Sequence, residues 1–165
     1  MSSSTDFIRD HGIDHYERCL KMGRFTRRSI YVIGSLRNPD IPSIGNDLRG
    51  LGLDVFDDWH GAGPEADDYW KEYEIQRGRD YSRALSGYAA THVFEFDKFH
   101  LDRCDAALLV LPAGRSGHLE LGYVAGSGKP TFILSDDPER WDVMYKFATK
   151  VFFSKEEMIG YFTEA

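Results

Sequence analysis

Residues 106–111, Ala-Ala-Leu-Leu-Val-Leu, form an unbroken apolar run that Pro112 closes. A strand with one wet face alternates apolar and polar residues; this run has no polar face, so it reads as a strand covered on both sides. Shorter, mostly apolar runs stand at Ile30–Ile33, which stops at Gly34, at Leu53-Asp-Val-Phe56, at Thr131–Leu134 and at Val151–Phe153. Helical patterns lie between them: Ile41–Gly52, His118–Gly126, about Pro138–Ala148, and a last helix from Lys155. Buried strands alternating with helices predict an α/β fold, a parallel sheet of about five strands with helices on both faces.

The chain has 165 residues, a length that predicts one such domain, here over residues 29–165. Residues 1–28 are polar and charged and read as an N-terminal appendage, with a short helix around Ile13–Met22 and arginines at 24, 27 and 28. Twenty Lys and Arg against 27 Asp and Glu leave a net charge of −7, which argues against a domain that coats a nucleic acid polymer. No apolar run approaches the roughly 18 residues a membrane span needs. The start, Met1–Asp6, lacks a basic segment followed by an apolar stretch, so no secretory signal is expected. Cys19 and Cys104 are too few for a disulfide scaffold, and a cytoplasmic protein with reduced thiols is the expectation.

One stretch breaks the alternation. Residues 57–100 separate two strands by far more than a crossover needs, so a long insertion is expected there. It opens with a Gly-rich, aromatic-bearing loop, Asp57–Pro64, and from about Glu65 it reads as helical. Loops at strand carboxyl ends build the ligand sites of α/β sheets. Trp59 in that loop therefore has two readings: a ring that stacks on a planar ligand, or one that packs the domain.

Three motifs fail on inspection. Gly61–Ala66 fits a loose dinucleotide pattern, but Pro64 and the acids after it do not suit that turn. Gly126-Ser-Gly-Lys129 has Pro130 where a phosphate loop needs Ser or Thr, and Tyr123 where it needs its first glycine. The six histidines show no metal-ligand spacing, and neither a metal nor a cofactor is expected.

The informative constellation flanks the 106–111 strand. After it, Gly114-Arg-Ser116-Gly117 turns strand into helix, and its backbone N–H groups form an anion-friendly nest. Glu120 is expected in the first helical turn, where the helix dipole would keep it ionised at neutral pH. The plain alternative is ordinary helix-start stabilisation. Asp97 precedes the strand and can reach the same sheet edge, or else it sits on a solvated helix face. Two carboxylates in one crevice are equipment for glycosidic bond cleavage: one attacks or stabilises the anomeric carbon, the other manages protons.

From about Ser29 to Phe162 the chain resembles the nucleoside 2-deoxyribosyltransferase family, which includes nucleoside 5′-monophosphate N-glycosidases. The resemblance rests on Ile30-Tyr-Val-Ile-Gly-Ser35, on Asp97 eight residues before Asp105-Ala-Ala-Leu-Leu-Val, and on Gly117-His-Leu-Glu-Leu-Gly-Tyr-Val-Ala-Gly-Ser-Gly-Lys-Pro130. It implies a flavodoxin-like fold, a small-molecule nucleoside or nucleotide substrate, and a homodimer or larger assembly sharing its sites across an interface. It implies that Glu120 is the nucleophile at C1′, that Tyr31 holds that glutamate, and that Asp97 handles the proton on the departing base. Asp142 and Met144 lie where a neighbouring subunit meets the sugar 5′ end. Gly34-Ser35-Leu-Arg37 is similar to the loop with which the monophosphate hydrolases cradle a 5′-phosphate, and Ser116 suits the same anion. The chain departs from the transferases at Gly114, where they carry an aspartate, and at Asp142, where they carry an asparagine. Base, sugar, phosphate, and transfer against hydrolysis stay open. So do two other readings, cleavage of an NAD-type N-glycosidic bond and a non-catalytic nucleotide-binding module.

Overall fold

A computed structural model describes residues 28–135 and 141–164. The expected helix at residues 13–22, with Arg24 and Arg27, lies outside them. Arg28 lies inside and is buried.

Five strands, β1 (Ser29–Ile33), β2 (Asp54–Phe56), β3 (Ala106–Val110), β4 (Thr131–Leu134) and β5 (Lys150–Phe152), form one sheet in the order β2-β1-β3-β4-β5, with every pair parallel. Six α-helices accompany them: α1 (Ile41–Gly50), α2 (Ala66–Gln76), α3 (Tyr81–Leu85), α4 (Tyr88–Arg103), α5 (Arg115–Gly126) and α6 (Lys155–Glu164). This is the flavodoxin-like α/β architecture. The chain leaves β1 toward β2 on one side and returns to β3 on the other. The strand order therefore reverses between β1 and β3, where folds of this kind open a crevice at the strand carboxyl ends.

Strand alternation divides the core in two. Ile30, Val32, Leu108, Val110, Phe132 and Leu134 face one side and pack on Ile41, Ile44 and Leu48 of α1 and Met158 and Phe162 of α6. Tyr31, Ile33, Ala107, Leu109 and Ile133 face the other and pack on Leu101 of α4 and Leu121 and Val124 of α5. Each strand needs both periodic faces apolar, which is why no polar residue interrupts β3.

Two close approaches at the crevice depend on glycine. A Cβ on Gly117 would stand 3.1 Å from both Ile33 Cγ2 and Leu109 Cδ1, so its absence lets the start of α5 lie on the sheet. A Cβ on Gly34 would stand 2.5 Å from Ile41 Cδ1.

Three expectations change. The insertion resolves into three helices, and the last of them, α4, is the ordinary crossover from β2 to β3; only α2 and α3 are extra. The helix expected over 138–148 is a single 3₁₀ turn, Val143–Phe147. Residues 136–140 lie outside the described part. Asp142 sits in extended backbone and accepts the Met144 N–H, so the turn begins at 143; none of its residues is buried, and no core face propagates it. Glu120 stands in the second turn of α5 rather than the first, because the helix begins at Arg115.

Candidate active site

Tyr31 is where the site starts. Its register partners are Phe56 on β2 and Ala107 on β3. The small Ala107 leaves room on one side, and the Phe56 ring lies 4.9 Å away on the other. The phenol is buried on the face that α4 and α5 cover. Asp97 stands on α4, one turn before the core residue Leu101. Glu120 stands on α5, next to the core residue Leu121. The helical periods that bury those leucines carry both half-buried carboxylates to the same place.

The electrostatics show the convergence. Burial, and after it the charge of Asp97, pushes the Glu120 carboxyl up to about 7. Burial also raises Asp97. Tyr31 is raised far above an ordinary phenol, by burial first and then by the charges of Glu120 and Asp97. Glu120 is thus not the freely ionised carboxylate its helix position suggests. Beyond the first turn the dipole is weak, and desolvation beside a like charge outweighs it. Among the described residues no hydrogen bond joins Tyr31 to Glu120 and no cation pairs with either carboxylate; the coupling is through space.

An aromatic layer underlies the cluster. His100 stacks flat on Phe56, 3.7 Å between centroids at 9°, and Phe96 packs on both. Arg103 Nε donates to His100 Nδ1 at 2.8 Å. Burial and the Arg103 cation lower the His100 pKa, so the ring stays neutral at pH 7. Phe94 and Phe96 keep much of their surface exposed beside Asp97.

The loop after β1 is fastened from outside. Trp59 Nε1 donates to Val32 O at 2.8 Å, and its ring packs against both halves of the core. That contact supports the packing reading of Trp59. His60 Nε2 donates to Asn38 O at 3.0 Å; a carbonyl only accepts, so this nitrogen carries the proton. Ser35 Oγ accepts the Arg37 N–H at 3.1 Å. The Arg37 guanidinium meets Asp68 of α2 at 2.8 Å, with both side chains well exposed. Arg37 therefore points at the insertion, in an exposed pair worth little by itself.

Gly114, Arg115 and Ser116 are exposed at the start of α5, while Gly117 is buried. Asp142 and Met144 are exposed on the far rim, with the Asp142 carboxylate holding the Met144 N–H at 2.9 Å. A cleft of about 550 Å³ lies on the β5 side, lined by Ser135, Asp142, Tyr145, Lys146, Val151 and Phe153 among others; Asp142 thus lines this cleft, while Tyr31, Asp97 and Glu120 do not. One contact of this end escaped the sequence reading. His118 and Tyr145 bond to each other across 27 positions; His118 stands inside the Gly117–Pro130 segment, but nothing there announces a partner at Tyr145.

No protein-family model matches the chain, and no curated protein matches it. Solved structures do. A 2-deoxyribosyltransferase from Bacillus psychrosaccharolyticus is 18% identical, with a TM-score of 0.56 over 79% of this chain and 90% of that one. A conserved protein from Enterococcus faecalis V583 is 15% identical, with a TM-score of 0.60 over 84% and 99%. The CMP N-glycosidase BcmB of Clostridium botulinum is 11% identical, with a TM-score of 0.51 over 81% and 96%. The likeness is one of fold. Among the described residues no helix is long and apolar enough to cross a membrane, and no group of three His, Cys, Asp or Glu is placed to hold a metal ion.

Proposed function

We propose that this protein breaks the N-glycosidic bond of a nucleoside or a nucleoside 5′-monophosphate, with Glu120 as the nucleophile. One observation carries the reading: Glu120 and Asp97 converge, half-buried and with no counterion among the described residues, beside Tyr31. Two neighbouring carboxylates in low dielectric do not ionise together easily, so near neutral pH the pair tends to keep one proton. That is the inventory the reaction needs. One carboxylate attacks C1′, and one proton goes to the departing base.

In this mechanism the nucleobase lies between the aromatic residues of α4 and the loop that Trp59 holds. Glu120 attacks C1′ as the bond to the base nitrogen breaks, through an oxocarbenium-like transition state. In the reactive form the pair's single proton stands on Asp97, which leaves Glu120 ionised, and Asp97 gives that proton to the base. The Tyr31 hydroxyl orients Glu120 and donates to it as its charge changes. Water or a second base then attacks C1′ and restores Glu120, giving hydrolysis or transfer.

The nest at Gly114, Ser116 and Gly117 offers N–H donors for a 5′-phosphate, as does the loop at Gly34 and Ser35. Arg37 joins them when the anion draws it from Asp68. Asp142 and Met144 form the wall near the sugar 5′ end. Exposed Trp141, Val143 and Phe147 around them support assembly into a dimer or larger, in which that wall serves a neighbouring copy. No cofactor takes part.

The test is base release. The protein is incubated with deoxynucleosides, ribonucleosides, their 5′-monophosphates and NAD, with and without an acceptor base, and products are separated by chromatography. Release from a nucleoside or monophosphate that disappears in Glu120→Gln supports the proposal. Nicotinamide release alone, or no release from any substrate, overturns it.

A further inference from the structure

His118 makes two bonds that leave it no rotational freedom. Its Nδ1 meets Gly114 O at 2.8 Å and its Nε2 meets Tyr145 Oη at 3.0 Å. Because a carbonyl cannot donate, Nδ1 carries the ring proton; Nε2 then presents a lone pair, and the tyrosine hydroxyl is the donor. The two rings also stack, 5.9 Å between centroids at 21°. Gly114 is the residue that caps α5, and Tyr145 is the inward-facing residue of the 143–147 turn, packed against the core face that carries Tyr31. Its neighbours Val143, Met144 and Phe147 point outward and are exposed. One side chain thus ties the helix bearing Glu120 to the turn bearing Asp142 and Met144.

We propose that His118 and Tyr145 are a positioning pair that sets the 142–147 wall relative to α5 and so governs how tightly substrate is held, not how fast its bond breaks. This rests on the function proposed above. Beyond the turn, Thr149 bonds to Thr131 of β4 in both directions, its N–H donating to Thr131 O at 2.7 Å and its Oγ1 accepting the Thr131 N–H at 3.0 Å, so the chain is anchored on that side. None of the turn's residues is buried, and its internal bonds are the Tyr145 N–H to Asp142 O at 3.3 Å and the Ala148 N–H to Tyr145 O at 3.0 Å, with the cap on Met144. Binding energy is lost when a wall must be ordered at the moment of binding. His118 and Glu120 are two residues apart on α5, about 200° around the helix, so His118 points away from the side on which Glu120 acts.

Tyr145→Phe keeps the ring stack and removes the hydroxyl. His118→Asn keeps a donor where Nδ1 stands and removes the acceptor at Nε2. His118→Gln places an amide oxygen near the Nε2 position and serves as the rescue. Two measurements are made on each: kcat and KM for base release, and hydrogen exchange of the 142–149 amides in the free protein. The expected result is a KM raised about three- to tenfold in Tyr145→Phe and His118→Asn, the effect of one neutral hydrogen bond, with kcat within about twofold. The double variant is no worse than either single one, His118→Gln lies near wild type, and the 142–149 amides exchange faster in step with KM.

Unchanged exchange in Tyr145→Phe overturns the pair. Faster exchange with unchanged KM makes it a brace for the fold alone and overturns the proposal, as does a loss in kcat at constant KM. The exchange arm needs no turnover. If the wild type releases no base, the proposed function fails along with the substrate-binding role, while exchange still reports whether the bond holds the turn.

Discussion

Glu74 and Glu120 are both glutamates drawn out of water, and their surroundings differ in kind. Glu74, on α2 in the insertion, is 2% exposed and has Arg79 in ionic contact at 2.5 Å. Glu120, on α5 at the crevice, has no cation among the described residues, and its charged neighbour is Asp97. Where a carboxylate serves the fold, burial comes with a counterion. Beside Tyr31 it comes with a like charge, which raises the cost of ionisation and keeps a proton in the site. Unrelieved cost of this kind marks sites that do chemistry.

The largest effect expected from this contrast is catalytic. Glu120→Gln should lower base release at least about 10³-fold, because in the proposed mechanism Glu120 forms the bond to C1′. It should leave the thermal midpoint unchanged or raised, since it removes a buried group that resists ionisation. The converse holds at the other glutamate. Glu74→Gln leaves Arg79 without its partner and should cost about 3 kcal/mol in urea unfolding, with kcat of the folded enzyme unchanged. A Glu74 variant that kills turnover in a stable protein would erase the distinction.

The pH dependence sharpens it. The folded pKa of Glu120, about 7, lies above its ordinary 4.5. The native state therefore binds that proton more tightly than the unfolded chain. The stability it contributes is complete below pH 4.5 and is lost as pH rises through about 7. Urea midpoints across this range should fall in the wild type through this group, and Glu120→Gln should flatten that fall. Activity should fall over the same range, because above about pH 7 the pair gives up the one proton that the departing base needs. Asp97→Asn removes both the charge that raises Glu120 and the proton donor, so the fall near pH 7 should be absent from the remaining activity. The smallest effect belongs to Tyr31→Phe: kcat lower by about three- to tenfold, the scale of one hydrogen bond, with little change in the melting temperature.

The fold was open to reading because β3 has no polar residue and its sister runs are spaced by helical periods. Length and apolarity fix such strands without tertiary help. The cluster of Tyr31, Asp97 and Glu120 was legible as a set, through the resemblance and through the turn at Gly114–Gly117. Its ionisation was not. Helix position argued for a free carboxylate, while the deciding quantities, burial and the distance between α4 and α5, exist only after packing. Arg37 shows the same limit: its place in the loop suggested an anion, but α2 brings Asp68 to it first. The 138–148 segment misled because Val143, Met144 and Phe147 look like a core face, and in the fold they point outward. His118 stood in the segment that carries the resemblance, but its pairing with Tyr145 gave no signal, since a bond between residues 27 apart has no period to betray it.

The most direct test is a search for sugar on the protein. The protein is mixed with its best nucleoside or monophosphate substrate without an acceptor, quenched in acid within the first turnover, and analysed by intact mass and peptide mapping. The account predicts one added sugar unit, localised to Glu120 and absent from Glu120→Gln. Base release during that first turnover with no adduct, or with sugar on any other residue, would contradict it.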